Sequence, residues 1–371
     1  MTRQRQTKQS GGYDHFLLLG MLVLLSMGVV MVYSASSMVA MKRFGSDTFF
    51  FTRQVVHALV AVLVLVCCRH VPYSLYKTLT YPILGMALVS LIALYVPGVG
   101  HVVGGAKRWL RAFGMSFQPS EFARLAIIIY LAYSLSKKQE RIKEFSVGFL
   151  PHAILFACFA VLIVLQPDFG MAAMIALIVW IMLFVGGVRL SYLVLSLGAM
   201  VPLGYYMMIL APYRMKRLLS FLDPWAYQGD AGYQIVHSLM AFGSGGILGA
   251  GIGNGYQKLF YLPEPHTDFI FSVVGEELGL VGVGFMMALY AMILWRGIVI
   301  AMRARDLFAT FLATGLTAGF GLQACINIGV ALGLMPTKGL TLPFVSYGGT
   351  SLIMSAATVG ILMNISARRG A

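Results

Sequence analysis

Long apolar runs alternate with short polar breaks along the whole chain. A run of about 20 mostly apolar residues can cross a bilayer as a helix. Ten segments fit that description: 15–34, 54–69, 77–96, 121–136, 148–166, 171–187, 191–211, 269–295, 307–331 and 344–364, the second and fourth being short. The pattern predicts an all-α polytopic membrane protein of about ten transmembrane helices. A single transmembrane domain would cover 15–364, flanked by short cytoplasmic tails at 1–14 and 365–371. The first run is longer than the apolar core of a cleaved signal peptide and is followed by many like it, so it reads as a retained span. Two polar intervals break the alternation: 97–120, and the far longer 212–268 between the seventh and eighth spans. No clean internal repeat is evident, which speaks against an inverted-repeat transporter.

Orientation follows from the basic residues. Arg3, Arg5 and Lys8 precede the first span, Lys137, Lys138, Arg141 and Lys143 follow the fourth, and Arg368 and Arg369 follow the last. This places both termini in the cytoplasm and the two polar intervals outside. Only 11% of residues are charged and 59% are hydrophobic, against roughly 25% charged in soluble domains. The net charge of +14 does not gather on one polar domain, so it marks membrane flanks and no nucleic-acid partner is expected. The carboxylates lie mostly on the outer side, in company with Lys107, Arg108, Lys258 and Lys338. Both signs of charge near the lipid boundary suit a charged, lipid-linked substrate. The four cysteines, Cys67, Cys68, Cys158 and Cys325, fall inside apolar runs without metal-ligand spacing and are expected to be small core residues.

Four polar stretches carry candidate chemistry. The first joins Lys107-Arg108-Trp109 to Phe117-Gln118-Pro119-Ser120-Glu121, with Arg124 one turn on. Pro119 suits a helix's first turn, and Glu121 and Arg124 share a face at i,i+3. They either pin the end of a span or floor a cavity in which Arg108 grips phosphate as a planar fork. The second is Gln166-Pro167-Asp168, where Asp168 is expected to cap the next helix. The third runs from Lys258 through His266, Thr267 and Asp268 to Glu276 and Glu277. An ionisable group at this depth is expensive and usually functional. Asp268 reads as a helix cap or as a working carboxylate. At i+8 and i+9 from Asp268, at least one of Glu276 and Glu277 would face the same way, with Arg124 or Lys338 as candidate partners. The fourth is Lys338 onward to Ser346-Tyr347-Gly348-Gly349, where prolines and glycines break the helix; free amides and hydroxyls there could cradle an anion. The glycine-rich run 243–255 lacks the strand and Gly-Lys-Ser/Thr of a phosphate loop, so close packing or a re-entrant turn is expected.

These stretches together resemble the SEDS family (shape, elongation, division and sporulation) over nearly the whole chain. Gly-Ala-Lys-Arg-Trp, Gln-Pro-Ser-Glu, Gln-Pro-Asp, Phe-Leu-Asp-Pro-Trp, Pro-Glu-Pro-His-Thr-Asp-Phe-Ile-Phe, Gly-Glu-Glu-Leu-Gly and Pro-Phe-Val-Ser-Tyr-Gly-Gly occur in the family's order. Pro-Thr-Lys-Gly at 336–339 and the run 257–265 are more similar to the division branch than to the elongation branch, and the sporulation branch is close. Arg124 stands where the family usually has Lys, Phe169 and Met171 replace the usual Leu and Thr, and Thr350 replaces a usual Ser.

The resemblance implies a glycosyltransferase that polymerises lipid II into glycan strands at the outer face of the bacterial cytoplasmic membrane. Asp268 matches the family's essential aspartate, and Arg108, Glu121 and Arg124 match its cavity-lining charges. It also implies undecaprenyl-pyrophosphate-linked glycan as the second substrate, and a class B penicillin-binding protein and other divisome membrane proteins as partners. The expected substrate-binding set is Arg108, Gln118, Glu121, Arg124, Lys258, His266, Thr267, Glu277, Lys338, Ser346, Tyr347, Gly348 and Gly349. Asp268 would act as general base in an inverting displacement. No metal-ligand set is apparent, although a divalent cation (Mg or Mn) could assist the pyrophosphate leaving group. A lipid II flippase and a divisome scaffold are the competing readings.

Overall fold

The computed structural model describes residues 12–368, apart from 104–105, 113–114, 210–211, 231 and 260–261. A helix occupies each of the ten apolar segments: α1 (His15–Phe44), α2 (Phe49–His70), α4 (Thr80–Ala93), α5 (Pro119–Lys137), α6 (Leu150–Val164), α7 (Phe169–Val185), α8 (Leu190–Ile209), α11 (Ile270–Met302), α12 (Leu307–Ala331) and α13 (Gly349–Ala367). Three shorter helices join them: α3 (Tyr73–Thr78), α9 (Pro212–Leu222) and α10 (Tyr233–Gly245). Six helices among the described residues, one of them extended by the π-helical turn before α6, are long and apolar enough to cross a membrane. The protein is therefore an all-α, multi-pass membrane protein.

Short polar residues set the helix ends as the sequence leads one to expect. Asp14, Asp168 and Asp306 each accept a hydrogen bond from a first-turn amide: Leu17 N at 3.2 Å, Met171 N at 3.3 Å and Ala309 N at 2.9 Å. Pro119 opens α5 where no amide donor is needed. Helices α12 and α13 form the centre of the bundle, and their buried faces run almost the whole way round. α13 packs on α2, α12 on α11 and α5, and α1 on α11. A Cβ at Gly28 of α1 would fall 2.2 Å from the Phe344 carbonyl oxygen, so glycine there lets α1 touch the backbone ahead of α13.

The two ends of the bundle differ. At one end Asp14 pairs with Arg296 at 2.6 Å, Tyr73 donates to Asp306 at 2.7 Å, and Asn364 donates to the Arg69 carbonyl at 2.7 Å. These contacts tie α1 to α11, α3 to α12 and α13 to α2. At the other end the interval 97–120 folds into a three-stranded antiparallel sheet, β1 (Gly100–Val103), β2 (Ala106–Ala112) and β3 (Met115–Phe117), with Leu110 opposite both Gly100 and Phe117. The interval 212–268 supplies α9 and α10 at this same end.

α11 is not continuous. Gly279 breaks it with φ 63° and ψ −163°. The carbonyls of Glu276 and Glu277, which would have served Leu280 and Val281, instead accept from Ala250 at 2.9 Å and Gly251 at 3.0 Å. The freed amides of Leu280 and Val281 donate to Gly246 at 3.0 Å and Ile247 at 3.2 Å. The glycine-rich run thus fills the gap in a helix, which realises the expected close packing. A Cβ at Gly249 (φ +83°) would sit 2.2 Å from the Glu277 carbonyl oxygen, and one at Gly279 would sit 2.3 Å from the Gly249 nitrogen.

The cysteines depart from expectation. Cys67, Cys158 and Cys325 are exposed and Cys68 is half-buried. In a membrane bundle an apolar run faces lipid on one side and protein on the other, so apolar surroundings in sequence do not mean a place in the core.

Candidate functional site

A cavity of about 690 Å³ opens at the end that carries the sheet. Its wall is assembled from six places in the chain: the end of α1 (Arg43), the first turns of α2 (Phe50, Arg53, His57), the sheet and the segment leading into α5 (Arg108, Trp109, Gln118), the arch 264–268, the strand-like segment 339–341, and the start of α13 (Tyr347, Gly348, Gly349). Three guanidinium groups and the amino end of a 19-residue helix face the same space. Amides at such a helix end carry partial positive charge and suit an anion.

Asp268 lies half-buried on this wall, one residue before the cap of α11. It is neither the cap, which is Phe269, nor part of the helix, so the helical spacing from Asp268 to Glu276 and Glu277 does not apply. Its backbone is held on several sides. Asn327 of α12 donates to the Asp268 carbonyl at 3.0 Å, Ser346 to the Thr267 carbonyl at 2.6 Å, and Tyr347 N to the His266 carbonyl at 2.8 Å. Burial, seconded by the neighbouring Glu264, raises the Asp268 carboxyl to about 6, while Arg217, Arg108 and the Thr267 hydroxyl pull the other way. Glu264 and Phe344 hold positive φ values of 47° and 66°, and both border this region. Backbone of that kind is strained in residues other than glycine.

Arg108 is fixed in direction. Its Nε donates to the Gln166 carbonyl at 3.0 Å and one Nη to the Pro167 carbonyl at 2.5 Å, with Asp168 3.9 Å away. Asp168 is thus both the cap of α7 and a neighbour of Arg108. His266 is buried, and desolvation lowers its pKa to about 4, so its ring is neutral and packs against Phe50 at 4.4 Å. Arg43 meets Glu264 at 3.4 Å at the cavity mouth.

Of the expected site residues, Arg108, Gln118, His266, Thr267, Asp268, Tyr347, Gly348 and Gly349 line the cavity together. Ser346 stands behind the wall as the tie to Thr267. Glu121 and Arg124 form a buried pair at 2.8 Å beneath it. Arg124 donates to Gln323, whose amide reaches the Thr341 carbonyl at 3.0 Å and Ser351 Oγ at 2.9 Å, two residues of the cavity wall. Lys338 lies over the start of α7, with its Cβ 3.5 Å from where a Gly170 Cβ would be, and burial lowers the pKa of its amine. Lys258 and Glu277 point elsewhere: they pair with each other at 2.5 Å, and Glu277 also accepts from Ser34 at 2.7 Å. The partner of Glu277 is therefore Lys258 and neither Arg124 nor Lys338. The chain brings Lys258 back through the glycine-rich run, which sequence spacing does not reveal. Arg43, Arg53, His57, Trp109 and Thr341 were not among the expected residues. Arg43 and Arg53 carried a usable signal, because they flank spans at the end where basic residues are otherwise disfavoured.

Among the described residues no three His, Cys, Asp or Glu side chains stand together to hold a metal ion.

Fold and site define a multi-pass membrane protein with a cationic, helix-capped cavity around a single recessed aspartate. The cell cycle protein family model FTSW_RODA_SPOVE matches residues 15–370, and the chain belongs to this FtsW/RodA/SpoVE family. It is 45% identical over 362 residues to the "Probable peptidoglycan glycosyltransferase FtsW" of Geobacter sulfurreducens, covering 97% of each chain. It is 42% identical over 355 residues to the stage V sporulation protein E of Bacillus subtilis, covering 95% of this chain and 96% of that one. Among solved structures, it resembles a chain of a peptidoglycan synthase complex that coordinates polymerization and crosslinking. The TM-score there is 0.82 at 30% identity, with 96% of this chain and 98% of that one covered. The rod shape determining protein RodA of Thermus thermophilus superposes with a TM-score of 0.71 at 28% identity, covering 96% and 97%.

Proposed function

We propose that the chain is the peptidoglycan glycosyltransferase of cell division, polymerising lipid II with Asp268 as general base. The observation that carries the reading is that recessed Asp268 shares one cavity with Arg43, Arg53, Arg108 and the amino end of α13, Glu264 at the mouth being taken up by Arg43. An acceptor sugar hydroxyl is a poor nucleophile until a base takes its proton in the transition state. Asp268, raised to about 6, is largely ionised at neutral pH and basic enough to accept that proton. The hydroxyl oxygen forms a bond to the donor's anomeric carbon, the bond to pyrophosphate breaks, and the lipid pyrophosphate leaves as an anion. Such a leaving group needs positive charge and no proton, so a second carboxylate as in glycosidases is not required. A single displacement inverts the anomeric centre. Arg108, whose Nε and one Nη already serve the Gln166 and Pro167 carbonyls, keeps its other Nη to offer a pyrophosphate oxygen.

The Asp14–Arg296 ion pair and the Tyr73–Asp306 hydrogen bond at the other end fit the cytoplasmic side, with both termini there. The cavity then opens at the outer face of the bacterial cytoplasmic membrane, where lipid II presents its sugars. Glycan strands made here need crosslinking by another protein, and the likeness to a chain of a polymerising and crosslinking synthase complex supports a class B penicillin-binding protein as partner. Other division proteins of the membrane are further candidates.

The test is purified chain with its cognate penicillin-binding protein, given labelled lipid II in detergent, wild type beside Asp268→Ala. Glycan ladders from the wild type and none from the variant are expected. A variant that still polymerises sinks the assignment of the base. Intact lipid II left unused by the wild type moves the chain to the flippase or scaffold reading.

A further inference from the structure

Glu276 and Glu277 sit below the cavity and line none of it, yet both are saturated with donors. Glu276 accepts from Tyr256 N at 2.7 Å and Gln257 N at 3.1 Å. Glu277 accepts from Gly253 N at 3.1 Å, from Ser34 Oγ at 2.7 Å and from Lys258 Nζ at 2.5 Å. Lys258 is buried to 4% exposure and Glu277 to 1%. A buried ion pair is a poor stability device, since apolar side chains of the same volume usually do as well or better. What it does supply is a single register for the loop it holds. That loop is the run 250–258, and the arch with Asp268 follows it directly before the chain re-enters α11. One leg of the arch is therefore fastened through Lys258 to Glu277, beside the break in α11, and the other runs into the first turn of the same helix at Ile270.

We propose that Lys258, Glu276 and Glu277 form a clasp that positions Asp268, holding the arch 262–269 at the height where its carboxylate meets the acceptor. The inference rests on Asp268 being the base. The clasp residues touch no substrate; they are positioning residues. The charged groups that bear on Asp268 are Glu264 within the arch, Arg108 from β2 and Arg217 from α9. None belongs to the clasp, so loosening the clasp alters Asp268 only through its position and its contact with water.

The experiment is the polymerisation assay with the cognate partner, run from pH 5 to 8 on wild type, Lys258→Met, Lys258→Arg and Asp268→Asn. Lys258→Met is expected to lose kcat on the order of 10²-fold at little change in KM, as small misplacements of a reacting group do. Its pH midpoint should fall by about one unit as the loosened carboxylate becomes hydrated. Lys258→Arg should restore the wild-type midpoint and most of kcat. If Lys258→Met does not fold, Lys258→Met with Glu277→Gln removes both charges and leaves no unpaired ion, and the same result is expected of it. Wild-type midpoint and wild-type kcat per folded molecule, with Asp268→Asn inactive, would overturn the clasp alone. An active Asp268→Asn would overturn the base assignment and the clasp with it.

Discussion

Replacing Asp268 with asparagine should make the protein more stable and inactive at once. An aspartate ordinarily ionises near 3.8, and in the fold Asp268 does so near 6. At 1.36 kcal/mol per pH unit that rise corresponds to about 3 kcal/mol. The sign follows from linkage. Between the two values the folded state binds the proton more tightly than the unfolded chain, so folding is disfavoured increasingly as pH rises, with the full cost present above about 6. Asparagine has no charge to desolvate and escapes that cost. At pH 8 the variant should therefore melt several degrees above the wild type, and at pH 4.5, where most of the cost has gone, the gap should shrink to about a third. Thermal unfolding in detergent, followed by tryptophan fluorescence at both pH values, measures this. A variant that melts at or below the wild type at pH 8, or a gap that is the same at both pH values, refutes the argument that burial and Glu264 raise this carboxyl.

If Asp268 is the base, wild-type kcat/KM should rise with pH through a midpoint near 6 in the same polymerisation assay. Lys258→Met should destabilise the fold by about 3–5 kcal/mol by stranding Glu277, and adding Glu277→Gln should recover most of it, as read by denaturation of both variants beside the wild type. Gly249→Ala should fail to give folded protein on size-exclusion chromatography, because its φ of +83° and the Glu277 carbonyl oxygen 2.2 Å from the new Cβ both oppose it. Arg53→Ala should raise KM for lipid II by roughly tenfold with the fold intact, since it removes one charged hydrogen-bond donor from the cavity wall; an unchanged KM would exclude Arg53 from substrate binding.

Apolar runs show where helices are, because every membrane helix needs about the same length of them. A helix stands in each of the ten expected segments, and the caps at Asp14, Asp168 and Asp306 sit where short polar residues precede a run. The sheet at 100–117 was not legible, since three short strands over a polar interval leave no long alternation to read. Nor was the break at Gly279: a glycine inside an apolar run looks like any other, and only the arrival of Ala250 and Gly251 from another segment reveals the gap. At the site, the residues around Asp268 and Ser346 to Gly349 could be read because polar groups at membrane depth are conspicuous. Lys258 and Glu277 were equally conspicuous and were assigned to the wrong neighbours, because which buried charges meet is a property of the fold alone.

The amide of Gly253 meets the carboxylate of Glu277 across 24 positions of the chain, which closes a circuit that contains Asp268 and the first turns of α11. Closing a loop depends only weakly on its length, with about 0.6 kcal/mol for each doubling. A change of length between the two fastened points therefore costs little in closure entropy, provided that the contacts which hold the arch are kept. Evolution can in this way reshape the rim of the cavity while the Asp268 carboxylate stays where it is.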